Sequence, residues 1–176
     1  MKKILGKTIL TVSSAFLLTS SVVFAQSNHN TELTLYFNNN NPQSYYAIEK
    51  TECWQIKNDK EMNILNIASN DITKVQLKPT CSKSQMHNNI YKVKLLNKAV
   101  IVVRDLPRQN KRCIGILWRD PLTEEKGSRI YCQPQESLSN VQIDLKMEPS
   151  NIKFYKMTPK KLGKPILQEL QVSEQF

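Results

Sequence analysis

Apolar and polar side chains alternate along much of the chain, with the period of half-buried β-strands. The pattern is clearest from Asn140 to Met147. Val141, Ile143, Leu145 and Met147 point one way; Gln142, Asp144, Lys146 and Glu148 point the other. Residues 90–95 repeat the pattern and residues 32–37 follow it in part. Residues 45–48, 53–56, 112–118, 128–132 and 151–157 are further short strand candidates. Residues 99–103 differ, being a continuous, mostly β-branched run. Such a run predicts a central strand buried on both faces, or a buried edge.

Two segments admit two readings. Residues 61–68 suit a short helix capped by Asp59 or a strand over residues 62–67. The strand is favoured, with Asn70-Asp71 turning a hairpin into residues 72–78. Residues 166–172 suit a last strand or a short helix after Pro165. Turn chemistry separates the candidates. Asn38 to Asn41 with Pro42 reads as a solvated loop, residues 79–89 as a polar loop carrying Cys81 and His87, and Asn97-Lys98 as a tight turn. About ten short strands at regular spacing predict an all-β, single-domain antiparallel β-sandwich or small barrel. Basic residues within the strands, four cysteines and the lack of aromatic girdles argue against an outer-membrane barrel.

The first 25 residues break the pattern. Lys2, Lys3 and Lys7 precede an apolar stretch, and Val23-Phe24-Ala25 suits a cleavage site, so residues 1–25 read as a secretory signal peptide of bacterial type. Seven Ser and Thr residues make the segment a poor membrane span. Residues 26–176 are then the exported domain, with residues 26–31 a loose polar leader. Removing three lysines lowers the net charge from +10 to +7. No transmembrane segment is expected after cleavage, and the compartment is the periplasm or the medium.

Export changes the meaning of Cys53, Cys81, Cys113 and Cys132. An even count in an oxidising compartment predicts two disulfides. Residues 112–118 and 128–132 fold as a hairpin around the turn-rich residues 119–127, which sets Cys113 near Cys132 and leaves Cys53 with Cys81. No CxxC spacing supports a metal or redox site, and no cofactor is expected. Trp54 and Trp118, close to cysteines in sequence, are read as core.

Catalytic material is sparse. There are two histidines, His29 and His87, and no nucleophile elbow, phosphate loop or zinc-binding helix motif. Glu124-Glu125 are adjacent and cannot flank one glycosidic bond. The basic balance says more. Arg104, Arg108, Lys111, Arg112, Arg119 and Arg129 cluster around the predicted hairpin, while Lys160, Lys161 and Lys164 form a second group. If the first group shares a side, it would engage a macromolecule with an acidic face: a protein, or an envelope glycolipid or phospholipid. Nucleic acid is disfavoured, since no aromatic-basic binding module is present. Tyr45-Tyr46 is a second candidate contact. The leading expectation is a non-enzymatic binding protein. The alternative is a small secreted basic hydrolase, a nuclease or glycan-directed enzyme, using His87.

Overall fold

A computed structural model describes residues 32–57, 64–81, 90–95, 99–106, 109–119 and 123–175. His29, His87, Arg108 and residues 1–31 lie outside this set. The described chain is β-structure with short 3-10 turns at Gln135–Leu138 and Pro149–Asn151.

The strands form two open sheets. The first has six: β1 (Leu33–Asn39), β3 (Trp54–Ile56), β5 (Asp71–Pro79), β10 (Asn140–Leu145), β11 (Lys153–Thr158) and β12 (Ile166–Glu169). Their order is β12-β11-β10-β1-β5-β3. The second has seven: β2 (Tyr45–Glu52), β4 (Ile64–Ile67), β6 (Ile90–Leu95), β7 (Ala99–Leu106), β8 (Lys111–Arg119), β9 (Lys126–Pro134) and β13 (Glu174–Gln175). These run β13-β9-β8-β7-β6-β2-β4, so neither sheet closes on itself. The sandwich is therefore the architecture, and the barrel is not. All pairings are antiparallel except β1 with β10, which is parallel.

The period-two pattern explains how the sheets close on one core. Leu33, Leu35 and Phe37 of β1 are fully buried, as are Val141 and Ile143 of β10. They share one cluster with Val93, Leu95, Ile101, Val103, Ile114 and Ile116 of the second sheet. Tyr131 of β9 meets Phe154 of β11 across the core, with ring centroids 5.1 Å apart. Each such aliphatic side chain contributes roughly 1.5–3 kcal/mol by leaving water.

Both disulfides pair as expected, Cys53 with Cys81 and Cys113 with Cys132. Cys113 and Cys132 occupy directly opposed positions of the β8–β9 ladder. The bridges close separations of 28 and 19 residues, so each restricts the unfolded chain by about 3 kcal/mol or slightly more.

Several expectations are corrected. β4 and β5 do not form a hairpin: β4 pairs with β2, and β5 with β1 and β3. Asn70, at φ 53°, turns the chain from one sheet to the other instead. β7 is central but is buried on one face only, since Val100 and Val102 are half-covered on the other. β10 stops at Leu145, leaving Met147 65% exposed. Of the two readings of residues 166–172, the strand holds: Ile166–Glu169 is an edge strand.

The Asn run is also structural. Asn38 and Asn39 belong to β1, and Asn39 is fully buried. Its amide nitrogen donates to the Gln43 and Ala68 carbonyls, both at 2.8 Å. Its oxygen accepts from the Asn41 backbone and side chain, both at 3.0 Å. An amide can donate and accept at once, so one side chain ties three chain segments together.

Candidate functional site

Register and burial sort the basic side chains by face. On β8, Arg112, Ile114 and Ile116 point into the core, so Lys111, Cys113, Leu117 and Arg119 point out. On β7, Arg104 is exposed and sits opposite Cys113. On β6, Lys92 and Lys94 alternate with the buried Tyr91, Val93 and Leu95. On β2, Lys50 is exposed between the buried Glu49 and the half-buried Thr51. Lys126 of β9 pairs opposite Arg119.

Seven exposed cations thus share the outer face of the seven-stranded sheet: Lys50, Lys92, Lys94, Arg104, Lys111, Arg119 and Lys126. Among the described side chains, Glu52 is the one carboxylate that these strands point outward. Glu124, in the hairpin loop at φ 59°, pairs with Arg119 at 3.0 Å. The outer face of the other sheet differs. There Asp144 and Glu169 accompany Lys74, Lys78 and Lys153, and Lys153 pairs with Glu169 at 3.2 Å. That contact raises the Lys153 pKa.

The concentration of charge has a local energetic signature. Lys50 stands directly opposite Lys92, with Lys94 two residues further along the same face. Like charges in opposed positions destabilise a sheet by a few tenths of a kcal/mol. Aliphatic residues share the face. One row across the sheet reads Ile64, Ile48, Lys94, Val100, Leu117, Ser128. Ile64, Ile48 and Leu117 are each about half exposed, at 49%, 53% and 48%. At the β8–β9 hairpin end an open groove of about 460 Å³ is lined by Val100, Leu117, Trp118 and Gly127, with Arg119 and Lys126 beside it.

The basic residues singled out from sequence do not all meet. Arg104, Lys111 and Arg119 share the outer face. Arg112 does not. It is fully buried and forms a two-pronged ion pair with Asp105, its cross-strand partner, at 2.6 and 3.0 Å. It also donates to the Leu138 carbonyl at 3.0 Å and lies over the Trp54 ring at 5.2 Å. A guanidinium held this way is part of the core, so Arg112 is corrected from surface ligand to internal tie. Arg129 also turns inward, donating to the Ile152 carbonyl at 2.6 Å and lying 5.5 Å from the Trp118 ring.

The tyrosines split likewise. Tyr46 is exposed, whereas Tyr45 packs against the core and accepts a hydrogen bond from Asn41 at 3.2 Å. Burial raises the Tyr45 pKa. Trp54 is buried and Trp118 half-buried, so the expectation that both are core holds fully for the first.

Lys50, Lys92, Lys94 and Lys126 were not among the expected site residues. The signal is at residues 91–95, where lysines alternate with apolar side chains. Which strands those lysines lie beside depends on register across the sheet, which is not visible from sequence.

A second polar pair lies inside. Glu49 faces the core, and the Tyr91 hydroxyl donates to its Oε1. Burial pushes the Glu49 carboxyl above its ordinary range, partly offset by that hydrogen bond. Burial and the nearby carboxylate push Tyr91 well up. The pair is enclosed and bridges two strands, so its role is in the fold. Comparison with protein-family models, curated proteins and solved structures returns no match.

Proposed function

We propose that this is an exported, non-enzymatic β-domain whose basic face binds a macromolecular partner of acidic surface. The observation that carries the proposal is the outer face of the seven-stranded sheet, with seven exposed cations against one outward carboxylate among the described side chains. A fold has no internal use for Lys50 opposed to Lys92. Such a pair makes sense where an anion is shared between them, and a concentrated single-sign field steers an oppositely charged partner. Two disulfides suit an oxidising, extracytoplasmic compartment. Among the described residues no helix is long and apolar enough to cross a membrane.

The test compares two triple variants of equal net charge. Lys50→Gln/Lys92→Gln/Lys94→Gln alters the proposed face, and Lys74→Gln/Lys78→Gln/Lys153→Gln alters the opposite one. Binding to polyglutamate is measured against salt. The first variant is expected to lose affinity and salt dependence, while the second stays near wild type. Equal losses would reduce the face to bulk charge and defeat the proposal.

A further inference from the structure

We infer that the occupant of this face is the surface of an anionic phospholipid bilayer. The inference rests on the anion-binding role proposed above and names its partner. Three features separate a bilayer from other acidic surfaces.

The first is the kind of cation. Five of the seven outward cations are lysines. Lysine is depleted at protein–protein interface cores, where arginine and aromatic residues are enriched. Its ammonium suits phosphate as a compact point charge.

The second is the interleaving of cations with exposed aliphatic side chains. Ile64, Ile48 and Leu117 lie in the same cross-sheet row as Lys94. Each is about half exposed. A soluble polyanion offers nothing to these groups. A bilayer offers phosphates to the ammonium groups and, a few ångströms deeper, acyl chains to the aliphatic ones. The hairpin-end groove adds apolar surface beside Arg119 and Lys126.

The third is the placement of aromatic residues. Single-stranded nucleic acid needs aromatic platforms for its bases. On this face the strands point one aromatic side chain outward among the described residues, Tyr46 near the start of β2. Trp118, which lines the hairpin-end groove, lies three strands away on β8, so the two make no continuous platform. A tyrosine at the margin suits the headgroup level, where its hydroxyl stays wet and its ring is covered.

The experiment uses the full exported domain with both disulfides formed. Sedimentation measures partitioning onto vesicles of equal parts phosphatidylglycerol and phosphatidylcholine, onto pure phosphatidylcholine vesicles, and onto polyglutamate beads. Wild type is expected on the mixed vesicles and not on the neutral ones. Each lysine held near an anionic surface multiplies partitioning about fivefold, so Lys50→Gln/Lys92→Gln/Lys94→Gln lowers it by about a hundredfold. Ile48→Ser/Leu117→Ser lowers vesicle partitioning by about tenfold while leaving polyglutamate binding intact. The aliphatic positions are surface sites, and circular dichroism verifies that each variant is folded.

If wild type ignores mixed vesicles but binds polyglutamate through the lysines, the bilayer is wrong and the acidic-partner reading survives. If the aliphatic pair has no effect on vesicles, the bilayer is again wrong. If neither probe responds to the three lysines, both readings fall together.

Discussion

Replacing Asp105 by Ala takes a directly bonded carboxylate away from the Arg112 guanidinium inside the sandwich. In the native protein that group donates twice to Asp105, at 2.6 and 3.0 Å, and once to the Leu138 carbonyl. It is fully buried, and its partner is 3% exposed. After the substitution the positive charge keeps the carbonyl and the Trp54 ring but loses both charge-assisted hydrogen bonds to Asp105. Breaking a buried pair by removing one partner destabilises by about 3–5 kcal/mol. For a domain of this length that lowers the melting temperature by roughly 10 °C. Replacing both partners gives the opposite expectation. Asp105→Leu/Arg112→Met removes both charges and fills similar volume, so it should recover most of that loss, the remainder being about 1–3 kcal/mol for the Leu138 carbonyl that loses its donor. Urea unfolding with the disulfides intact measures both. A loss below about 1 kcal/mol in the single variant, or a double variant no better than the single, would refute the reasoning. The double variant must also bind polyglutamate as wild type does, because Arg112 does not reach the outer face.

Three further outcomes follow from particular contacts. Gly127→Ala places a Cβ 2.2 to 2.8 Å from three Trp118 ring atoms, and calorimetry should show a loss of about 1–3 kcal/mol with altered tryptophan fluorescence. Asn39→Ala takes a buried partner from the Gln43 and Ala68 carbonyls and from the Asn41 backbone N–H, so denaturant unfolding should report a loss of about 1–3 kcal/mol. Glu49 holds its proton more tightly when folded than its ordinary value of 4.5 implies. The folded state therefore binds more protons in the window above that value, and Glu49 contributes less stability as pH rises through it. Glu49→Gln should flatten that part of the stability–pH curve measured by urea unfolding, and an unchanged slope would contradict the assignment.

Much of the fold was legible because burial on one face writes a period of two into the chain. Residues 90–95 and 140–145 show it plainly, and their strands form where the pattern places them. The Cys113–Cys132 pairing was legible because a hairpin is local. Strand partnership is not local, and the supposed hairpin of β4 and β5 illustrates it. The turn chemistry at Asn70-Asp71 is the same whether the chain returns beside itself or crosses to the facing sheet. The same blindness affected the site. Arg112 and Lys111 are neighbours in sequence with opposite fates, decided by which side of β8 faces the core. Asp105, the residue that makes burial of Arg112 tolerable, becomes its partner only through the β7–β8 register. The lysines of β2 and β6 come together only when residues 45–52 pair with residues 90–95.

The central claim is that one face of the molecule meets its acidic partner. Lysine acetylation, read by mass spectrometry with and without bound polyglutamate, tests it residue by residue. The account predicts that Lys50, Lys92, Lys94 and Lys126 are protected while Lys74 and Lys78 react as before. Uniform protection, or protection centred on Lys74 and Lys78, would contradict it.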